Sequence, residues 1–343
     1  MRTPSTLKEL HRFILSLDWE DMMSQVEQET HTRLAIVGPV NAGKSTLFNT
    51  LLGRDVSPIS AVPGTTRELV TDWFGPFILI DTPGFGEAMG SVETEADLDR
   101  AKVAREAVKH AAVVVLLVDS AAGLRQSDRD LYRELVGTGR PVVVALNKID
   151  LVRRDREAVL ADAHSRLGNA QIIPISAKRG EGVASELVPA IFQADSRLAV
   201  ALGRALPAYR RLAAGRLVRN ASMLNAAIGA EPIPGLALPL LLTSHVRMVL
   251  RIAAIYGETI SPERAKELIA TMAGGVALRY AGIVGAKFVP GPGWLVAGAI
   301  ASAGTVAIGQ VAIQYFESGK HLTPRQLRRL YREYQRRGQD ADD

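Results

Sequence analysis

The sequence of 343 residues predicts an α/β domain followed by an all-helical domain. As far as about residue 195, short apolar runs rich in β-branched residues alternate with helical segments. Such runs, apolar on both faces, are typical of parallel strands covered by helices. Beyond residue 196 the strand pattern stops, and Ala, Gly, Leu and Arg dominate between Pro-Gly turns. We therefore expect a mostly parallel six-stranded sheet with helices on both faces, and then helices alone.

The chain divides into three predicted segments. Residues 1–31 are expected to form an N-terminal amphipathic helix, because Leu7, Leu10 and Ile14 recur on one face. Residues 32–195 contain the sheet, whose inner strands are the runs RLAIVG, PFILID, AAVVVLLVD, RPVVVALNK and QIIPIS. The less apolar ELVTDWF is the expected edge strand. Residues 196–343 form the helical, basic and partly apolar segment.

Composition narrows the function classes. The absence of cysteine excludes disulfides, thiolate nucleophiles and sulfur-ligated metals. The N-terminus lacks the pattern of a signal peptide, so a cytoplasmic protein is expected. Residues 1–195 hold 22 Lys and Arg against 27 Asp and Glu, a balance of −5, whereas residues 196–343 hold 19 against 9, a balance of +10. The helical segment is therefore expected to meet an anionic partner, either an acidic lipid surface or nucleic acid.

The strand RLAIVG is followed by GPVNAGKST, which has the spacing G-x-x-x-x-G-K-[ST]. Glycines allow a loop whose backbone N–H groups surround a polyphosphate at the start of a helix. Lys44 would contact the β and γ phosphates, and the Ser45 hydroxyl would hold Mg²⁺. An ordinary strand-to-helix turn is the alternative, which the flanking strand and helix disfavour. The predicted phosphate-loop residues are Gly38, Asn41, Ala42, Gly43, Lys44, Ser45 and Thr46.

Three further motifs follow the ends of later strands. In DTPG, the Asp81 carboxylate could hold Mg²⁺ through water, and the Gly84 amide could bond a γ phosphate and so sense its presence. In NKID, the Asp150 carboxylate can accept two hydrogen bonds from the N1–H and 2-amino group of guanine, a donor pair that adenine lacks. The motif therefore predicts a guanine nucleotide.

The remaining contacts of this predicted site come from neighbouring loop residues. The stem of Lys148 can lie over the base, and Asn147 can tie its loop to the phosphate loop. In ISAK, backbone amides near Ala177 could meet guanine O6. Ser176, Ala177 and Lys178 complete the predicted base-binding set.

Together these motifs resemble the translation-factor-related GTPases, particularly the branch that contains Era and the tRNA-modification GTPase TrmE (MnmE), over about residues 32–195. The resemblance implies a P-loop G domain that binds GTP and GDP with Mg²⁺ and hydrolyses GTP. It also implies a threonine that closes on Mg²⁺ when GTP is bound; of the two threonines in PGTTRE we favour Thr66. The expected Mg²⁺ residues are Ser45, Thr66 and Asp81, and the expected catalytic residues are Lys44, Asn41, Thr66 and Gly84.

Two details bear on the mechanism that the resemblance implies. Phe85 stands where Ras-like enzymes have a glutamine that orients the attacking water, so hydrolysis needs another group. Asn41 matches the asparagine that helps to coordinate K⁺ in potassium-activated members such as TrmE. A cation there could neutralise transition-state charge. Arg67 is an alternative source of charge, and a homodimer formed through the G domains is one way to complete such a site.

The helical segment leaves its partner open. Residues 232–246 and 288–316 lack Lys, Arg, Asp and Glu, and Trp294–Ile313 has the ~20-residue length of a bilayer span. A buried helix of a soluble domain, a membrane-inserting hairpin and an element exposed in only one nucleotide state all fit this pattern. Residues 220–320 resemble a domain of unknown function that also occurs in predicted bacterial inner-membrane proteins, which implies association with the inner membrane.

The C-terminal segment TPRQLRRLYREYQRRGQ predicts a basic amphipathic helix. A solvated arginine face packed on its own domain, binding to anionic lipid and, less favoured, binding to RNA are the three interpretations. The function predicted from the sequence is a GTP-hydrolysing switch, stimulated by K⁺, that couples nucleotide state to a membrane-associating helical domain. An RNA- or ribosome-binding assembly GTPase is the alternative, and a scaffold that barely hydrolyses GTP is also compatible with Phe85.

Overall fold

The computed structural model describes residues 16–53, 71–81, 105–152, 154–231, 237–258, 293–319 and 324–339. It divides into a sheet unit, residues 31–209, and a helical unit formed by residues 1–30 together with 210–343. The sequence-based boundary at 31 agrees with this division within one residue, whereas the boundary at 195 lies fourteen residues before the division at Tyr209. The helix Arg197–Ala205 stays with the sheet unit because its residues 198–203 are buried. The N-terminal helix begins at Trp19, and residues 16–18 are not helical, so the predicted continuous helix over residues 1–31 is wrong at this point. Leu7, Leu10 and Ile14 lie outside the described residues. The helix from Trp19 is grouped with the C-terminal helices.

The sheet unit is an α/β fold. After β1 (Leu34–Gly38) and α2 (Lys44–Leu52) come β2 (Thr71–Phe74), β3 (Phe77–Asp81), β4 (Val113–Asp119) and α3 (Gln126–Gly137). The chain continues through β5 (Val142–Asn147), α4 (Arg156–Leu167), β6 (Gln171–Pro174), α5 (Val188–Ala194) and α6 (Arg197–Ala205). The helix α1 (Trp19–Thr30), which precedes β1, belongs to the helical unit.

The sheet has six strands in the order β2-β3-β1-β4-β5-β6. β2 pairs with β3 in antiparallel orientation, and the other neighbours are parallel. The predicted mostly parallel six-stranded sheet is therefore confirmed, with β2 at its edge. All five residues of β1 are buried, as expected for a central strand covered on both faces.

The sheet topology positions the site. Gly38 is in register with Asp81, and Asp119 with Asn147, so four strands end at the same edge of the sheet. The connection order reverses between β1 and β4, and ligands of open α/β sheets bind in the crevice at such a point.

The helical unit contains α1, α7 (Arg210–Ala230), α8 (Ala237–Ile255), α9 (Gly293–Glu317) and α10 (Pro324–Gln339). α9 packs closely along α7: a Cβ built on Gly309 would lie 2.3 Å from Val218 Cγ2, and one on Gly229 would lie 2.6 Å from Ala301 Cβ. The small residues of this segment therefore serve close helix contact. α8 joins α1 through Glu29, which is bound by Arg247 at 3.2 Å and Arg251 at 2.6 Å.

α10 packs on α9 through its apolar side. Leu327 and Tyr331 are buried, and the Tyr334 hydroxyl donates to Gln314 Oε1 at 3.3 Å. This packing leaves little of the predicted apolar face for lipid. Of the three interpretations of this helix, packing on its own domain is the one that these contacts match.

Candidate functional site

The phosphate loop connects β1 to α2 in the conformation that the glycine spacing predicts. Gly43 has φ +99°, and a Cβ there would lie 2.4 Å from Asn147 Nδ2, so only glycine fits. Asn41, an exposed residue, also has a positive φ of 66°. The buried Lys44 ammonium donates to the carbonyl oxygens of Gly38 at 2.6 Å and Pro39 at 2.8 Å, which holds the loop curled around the lysine.

Asn147 clamps two loops together. Its Nδ2 donates to the Ala42 carbonyl at 2.7 Å, and its Oδ1 accepts from the Ala177 backbone N–H at 2.8 Å. The side chain is buried, with the residue only 2% exposed. The phosphate loop and the loop after β6 are thus fixed to the end of β5, as predicted for this asparagine.

Lys148 and Asp150 lie at the start of the turn that follows β5. Lys148 has φ 63°, a rare conformation for a residue with a side chain, and its ammonium pairs with Asp119 Oδ2 at 2.6 Å. Asp150 Oδ2 lies 3.3 Å from Arg179 Nε, and the Asp150 side chain is 9% exposed. The contact with Arg179 orients this mostly buried carboxylate.

The other predicted positions fall into three groups. Ser45 and Thr46 are exposed in the first turn of α2, Ser176 is buried and Lys178 is exposed. Asp81 ends β3 beside the phosphate loop, where only its backbone is described. Thr66, Arg67, Gly84 and Phe85 lie outside the described residues, so the structure places neither the predicted switch threonine nor the γ-phosphate amide.

The structure adds residues that sequence reasoning did not assign. The Thr50 hydroxyl donates to the Ala177 carbonyl at 2.6 Å, which fixes the base-binding loop to α2. Asp119 and Arg179 supply the charged partners of Lys148 and Asp150. Asp119 carried a signal, since it ends the apolar run VVVLLVD as Asp81 ends PFILID. The roles of Thr50 and Arg179 depend on tertiary contacts alone.

A cavity of about 280 Å³ adjoins the phosphate loop, lined in part by Asn41, Asp119, Arg125 and Asp128. Asp128 Oδ2 accepts from the Arg125 backbone N–H at 2.9 Å and caps α3. Burial raises the pKa of Asp128, with the backbone hydrogen bond from Arg125 acting in the opposite direction. Two carboxylates therefore face the outer side of this loop.

The fold, the phosphate loop and the clamped loop after β5 together define a P-loop nucleotide-binding domain. Residues 33–148 match a family model described as 50S ribosome-binding GTPase. These residues belong to a P-loop GTPase domain of the type found in Era, Der and MnmE.

Curated relatives share this part of the chain. GTPase Der of Syntrophotalea carbinolica is 34% identical over 203 residues, which is 58% of this chain and 45% of that protein. The tRNA modification GTPase MnmE of Moorella thermoacetica is 33% identical over 191 residues, 52% of this chain and 39% of that protein. The chain thus spans less than half the length of these relatives.

Among solved structures, Era in complex with MgGDPNP and a segment of 16S ribosomal RNA is 29% identical. The match covers 56% of this chain and 66% of that one, at a TM-score of 0.38.

Proposed function

We propose that the chain is a guanine-nucleotide switch that hydrolyses GTP to GDP and phosphate. The observation that carries the proposal is the Asn147 clamp, which fixes the loop that would hold phosphates to the loops that would hold the base. Lys44 and the backbone amides of residues 41–46 would bind the β and γ phosphates at the positive end of α2. Ser176, Ala177 and Lys178 would border the base.

Base selection is assigned to Asp150. Its carboxylate would accept the two donors on the guanine edge, a donor pair that adenine lacks. A site built to hydrogen-bond its substrate commonly rejects analogues lacking the group by about 10⁴-fold. The Asp119–Lys148 ion pair would hold the lysine stem over the base.

Mg²⁺ is the metal that this family of domains implies, and the residues present fit it. A hydroxyl at the first turn of α2 and a carboxylate at the end of β3, from Ser45 and Asp81, are oxygen ligands of the type that Mg²⁺ prefers. Thr66 would complete the set in the GTP state. When bound, Mg²⁺ would neutralise charge on the phosphates. Gly84 would report the γ phosphate through its amide.

Hydrolysis is proposed to be stimulated by K⁺ at Asn41. Phe85 cannot orient water by a hydrogen bond, and the exposed Asn41 amide oxygen in the phosphate loop is available as a ligand. A cation in an arginine-finger position can contribute about 10³-fold or more in rate. Pairing of two G domains would exclude water from this site, and Arg67 is the competing source of charge.

Turnover measured in KCl and in NaCl at equal ionic strength tests the K⁺ proposal. Faster hydrolysis in KCl, with the difference lost in Asn41→Ala, is expected. Equal rates in both salts would reject it, and an Arg67→Ala variant that loses activity in both salts would favour the arginine.

The helical unit is proposed to bring a cytoplasmic switch to the inner membrane. α8 and α9 are long and apolar enough to cross a bilayer. About two thirds of the apolar stretch of each helix is buried, as in the core of a soluble protein. Support comes from the basic balance of this unit and its exposed apolar residues. RNA binding is the alternative, because MnmE is named for tRNA modification and the Era structure contains ribosomal RNA.

Flotation with anionic vesicles, compared with RNA binding in GTP and in GDP, separates these partners. The proposal expects vesicle binding that differs between nucleotides and no RNA complex of comparable affinity. RNA binding without vesicle binding would support the alternative. Single-turnover GTP hydrolysis distinguishes both from a scaffold that retains its nucleotide unhydrolysed.

A further inference from the structure

The helical unit has two ends of different character, separated by a buried polar layer. Asn225 Nδ2 donates to Thr305 Oγ1 at 2.9 Å, and His245 Nε2 lies 3.0 Å from the same oxygen. These contacts place α7, α8 and α9 at one level. α7 and α9 are antiparallel, because Gly229 lies against Ala301 whereas the earlier Val218 lies against the later Gly309. The C-terminal end of α7 therefore lies beside the N-terminal end of α9.

One end is mostly apolar. Its helical residues 220–230, 237–246 and 293–306 include no Lys, Arg, Asp or Glu, and we refer to these three stretches as the apolar end. Glu231, which directly follows α7, is the charged residue at its tip among the described residues. Among the described residues, seven of the eleven large apolar side chains that are exposed belong to it. They are Met223, Leu224, Leu240, Trp294, Leu295, Val296 and Val306. Such a concentration indicates a surface that meets an apolar phase.

The other end is rich in arginine. It carries Arg210, Arg211, Arg216 and Arg219 on α7, Arg247 and Arg251 on α8, and the exposed Arg329 and Arg332 on α10. Cationic side chains next to an apolar surface complement anionic lipid headgroups. Two copies of this chain joined through their apolar ends would gain nothing from these charges, whereas an anionic leaflet would.

The length of the apolar end along α9 limits how deeply it can insert into a bilayer. Trp294 lies eleven residues before Thr305, which is about 17 Å along α9 at about 1.5 Å per residue. The hydrocarbon core of a bilayer is about 30 Å thick, so the apolar end is as long as one leaflet. Arg247 lies two residues after His245, near the middle of α8. A spanning orientation would draw this arginine and the Glu29 ion pairs towards the bilayer centre, at high cost.

We propose that the helical unit inserts its apolar end into a single leaflet of an anionic membrane without crossing it. This inference rests on the membrane association in the proposed function. The apolar end contacts acyl chains, and the arginines around Arg219 and Arg247 lie at the headgroups. α8 and α9 thus anchor the protein while they remain packed in the helical bundle. α10 contributes positive charge, and its apolar side is covered by the bundle.

The chain has no cysteine, so single introduced cysteines can carry an environment-sensitive fluorophore. Leu295→Cys reports the apolar end. Leu212→Cys, exposed among the arginines of α7, and Val136→Cys, exposed on α3, are matched controls. With vesicles of phosphatidylcholine and phosphatidylglycerol, the label at 295 should become several-fold brighter and be quenched by nitroxides on outer-leaflet acyl chains. Neither control label should respond in this way.

Leu295→Glu, at an exposed position, should weaken vesicle binding about tenfold, since it removes an apolar contact, and Val136→Glu, at an exposed position of the sheet unit, should not. Vesicle binding with the 295 label still in water overturns the inference and leaves membrane association intact. Reduction of that label by an impermeant reductant trapped inside the vesicles shows crossing and also overturns it. If the protein floats with no vesicle, the proposed membrane association is rejected altogether. A dimer that Leu295→Glu dissociates would reject it as well. Nucleotide binding is measured in a separate assay, so the proposed switch function can stand or fall independently.

Discussion

Asn147→Ala removes the clamp between the nucleotide loops. The substitution deletes two buried hydrogen bonds of 2.7 and 2.8 Å and leaves the Ala42 carbonyl and the Ala177 N–H without this partner. Each orphaned buried group costs about 1–3 kcal/mol, so the total is about 2–6 kcal/mol before relaxation. Part of this loss lowers the stability of the sheet unit, and the rest frees the two loops to move apart.

The affinity for GDP should therefore fall, since nucleotide would have to order the loops again. At 1.4 kcal/mol per tenfold change, we expect the Kd for GDP to rise by about 10- to 1000-fold. Titration calorimetry of wild-type and variant protein measures the loss of GDP affinity. Thermal unfolding of both proteins without nucleotide measures the loss of stability.

Thr50→Val is the matched control. It removes one hydrogen bond to the same base-binding loop, from Thr50 Oγ1 to the Ala177 carbonyl, and leaves the link to the phosphate loop. It should lower stability while changing the GDP Kd much less. An Asn147→Ala protein that is destabilised yet binds GDP as tightly as wild type would refute the reasoning, because the clamp would then be purely structural.

Three other predictions concern single interactions. Asp119→Asn removes the charge paired with Lys148 and should weaken GDP binding several-fold, with faster GDP release in stopped-flow and an unchanged melting temperature; unaltered release would show that the pair does not position the lysine. Glu29→Ala leaves the arginines of α8 without their buried carboxylate and should cost about 2 kcal/mol in denaturant unfolding, more than Glu29→Gln. Burial lowers the pKa of His245 to about 4. The unfolded chain then takes up a proton near pH 6.5 that the folded unit does not bind, so stability without lipid should fall by about 2 kcal/mol from pH 7 to 4.5. His245→Gln, which can still donate to Thr305, should flatten that slope, and an equal slope in both proteins would contradict the assignment.

The sheet was predictable because its signal is local. The runs that became β1, β4 and β5 are apolar on both faces, and only covered parallel strands accommodate such a pattern. The phosphate loop and Asn147 were predictable for a related reason, since each motif follows a strand and parallel strands end together at one edge. The spacing of the motifs therefore carried the geometry of the site.

The remainder depends on contacts that sequence patterns do not encode. The predicted helical segment starts at residue 196, whereas the structure divides the chain at Arg210. α6 belongs to the sheet unit, in which its residues 198–203 are buried, and this burial cannot be seen in the sequence pattern. Nothing in the periodicity of α1 indicated that Glu29 meets two arginines more than 200 residues later. For α10 the amphipathic pattern was visible, but what covers its apolar side could be learned only from Leu327 and Tyr331 in the structure.

The central claim is that the Asp150 carboxylate selects guanine for a switch whose phosphates are held near Lys44. Calorimetry with GDP and xanthosine diphosphate, in the presence of Mg²⁺, tests it in wild type and Asp150→Asn. Wild type should bind GDP more tightly by orders of magnitude, and the variant should reverse the preference, because the Asn amide can donate to the carbonyl that xanthine has in place of the amino group. A variant that retains the wild-type affinity and preference for GDP would contradict the account.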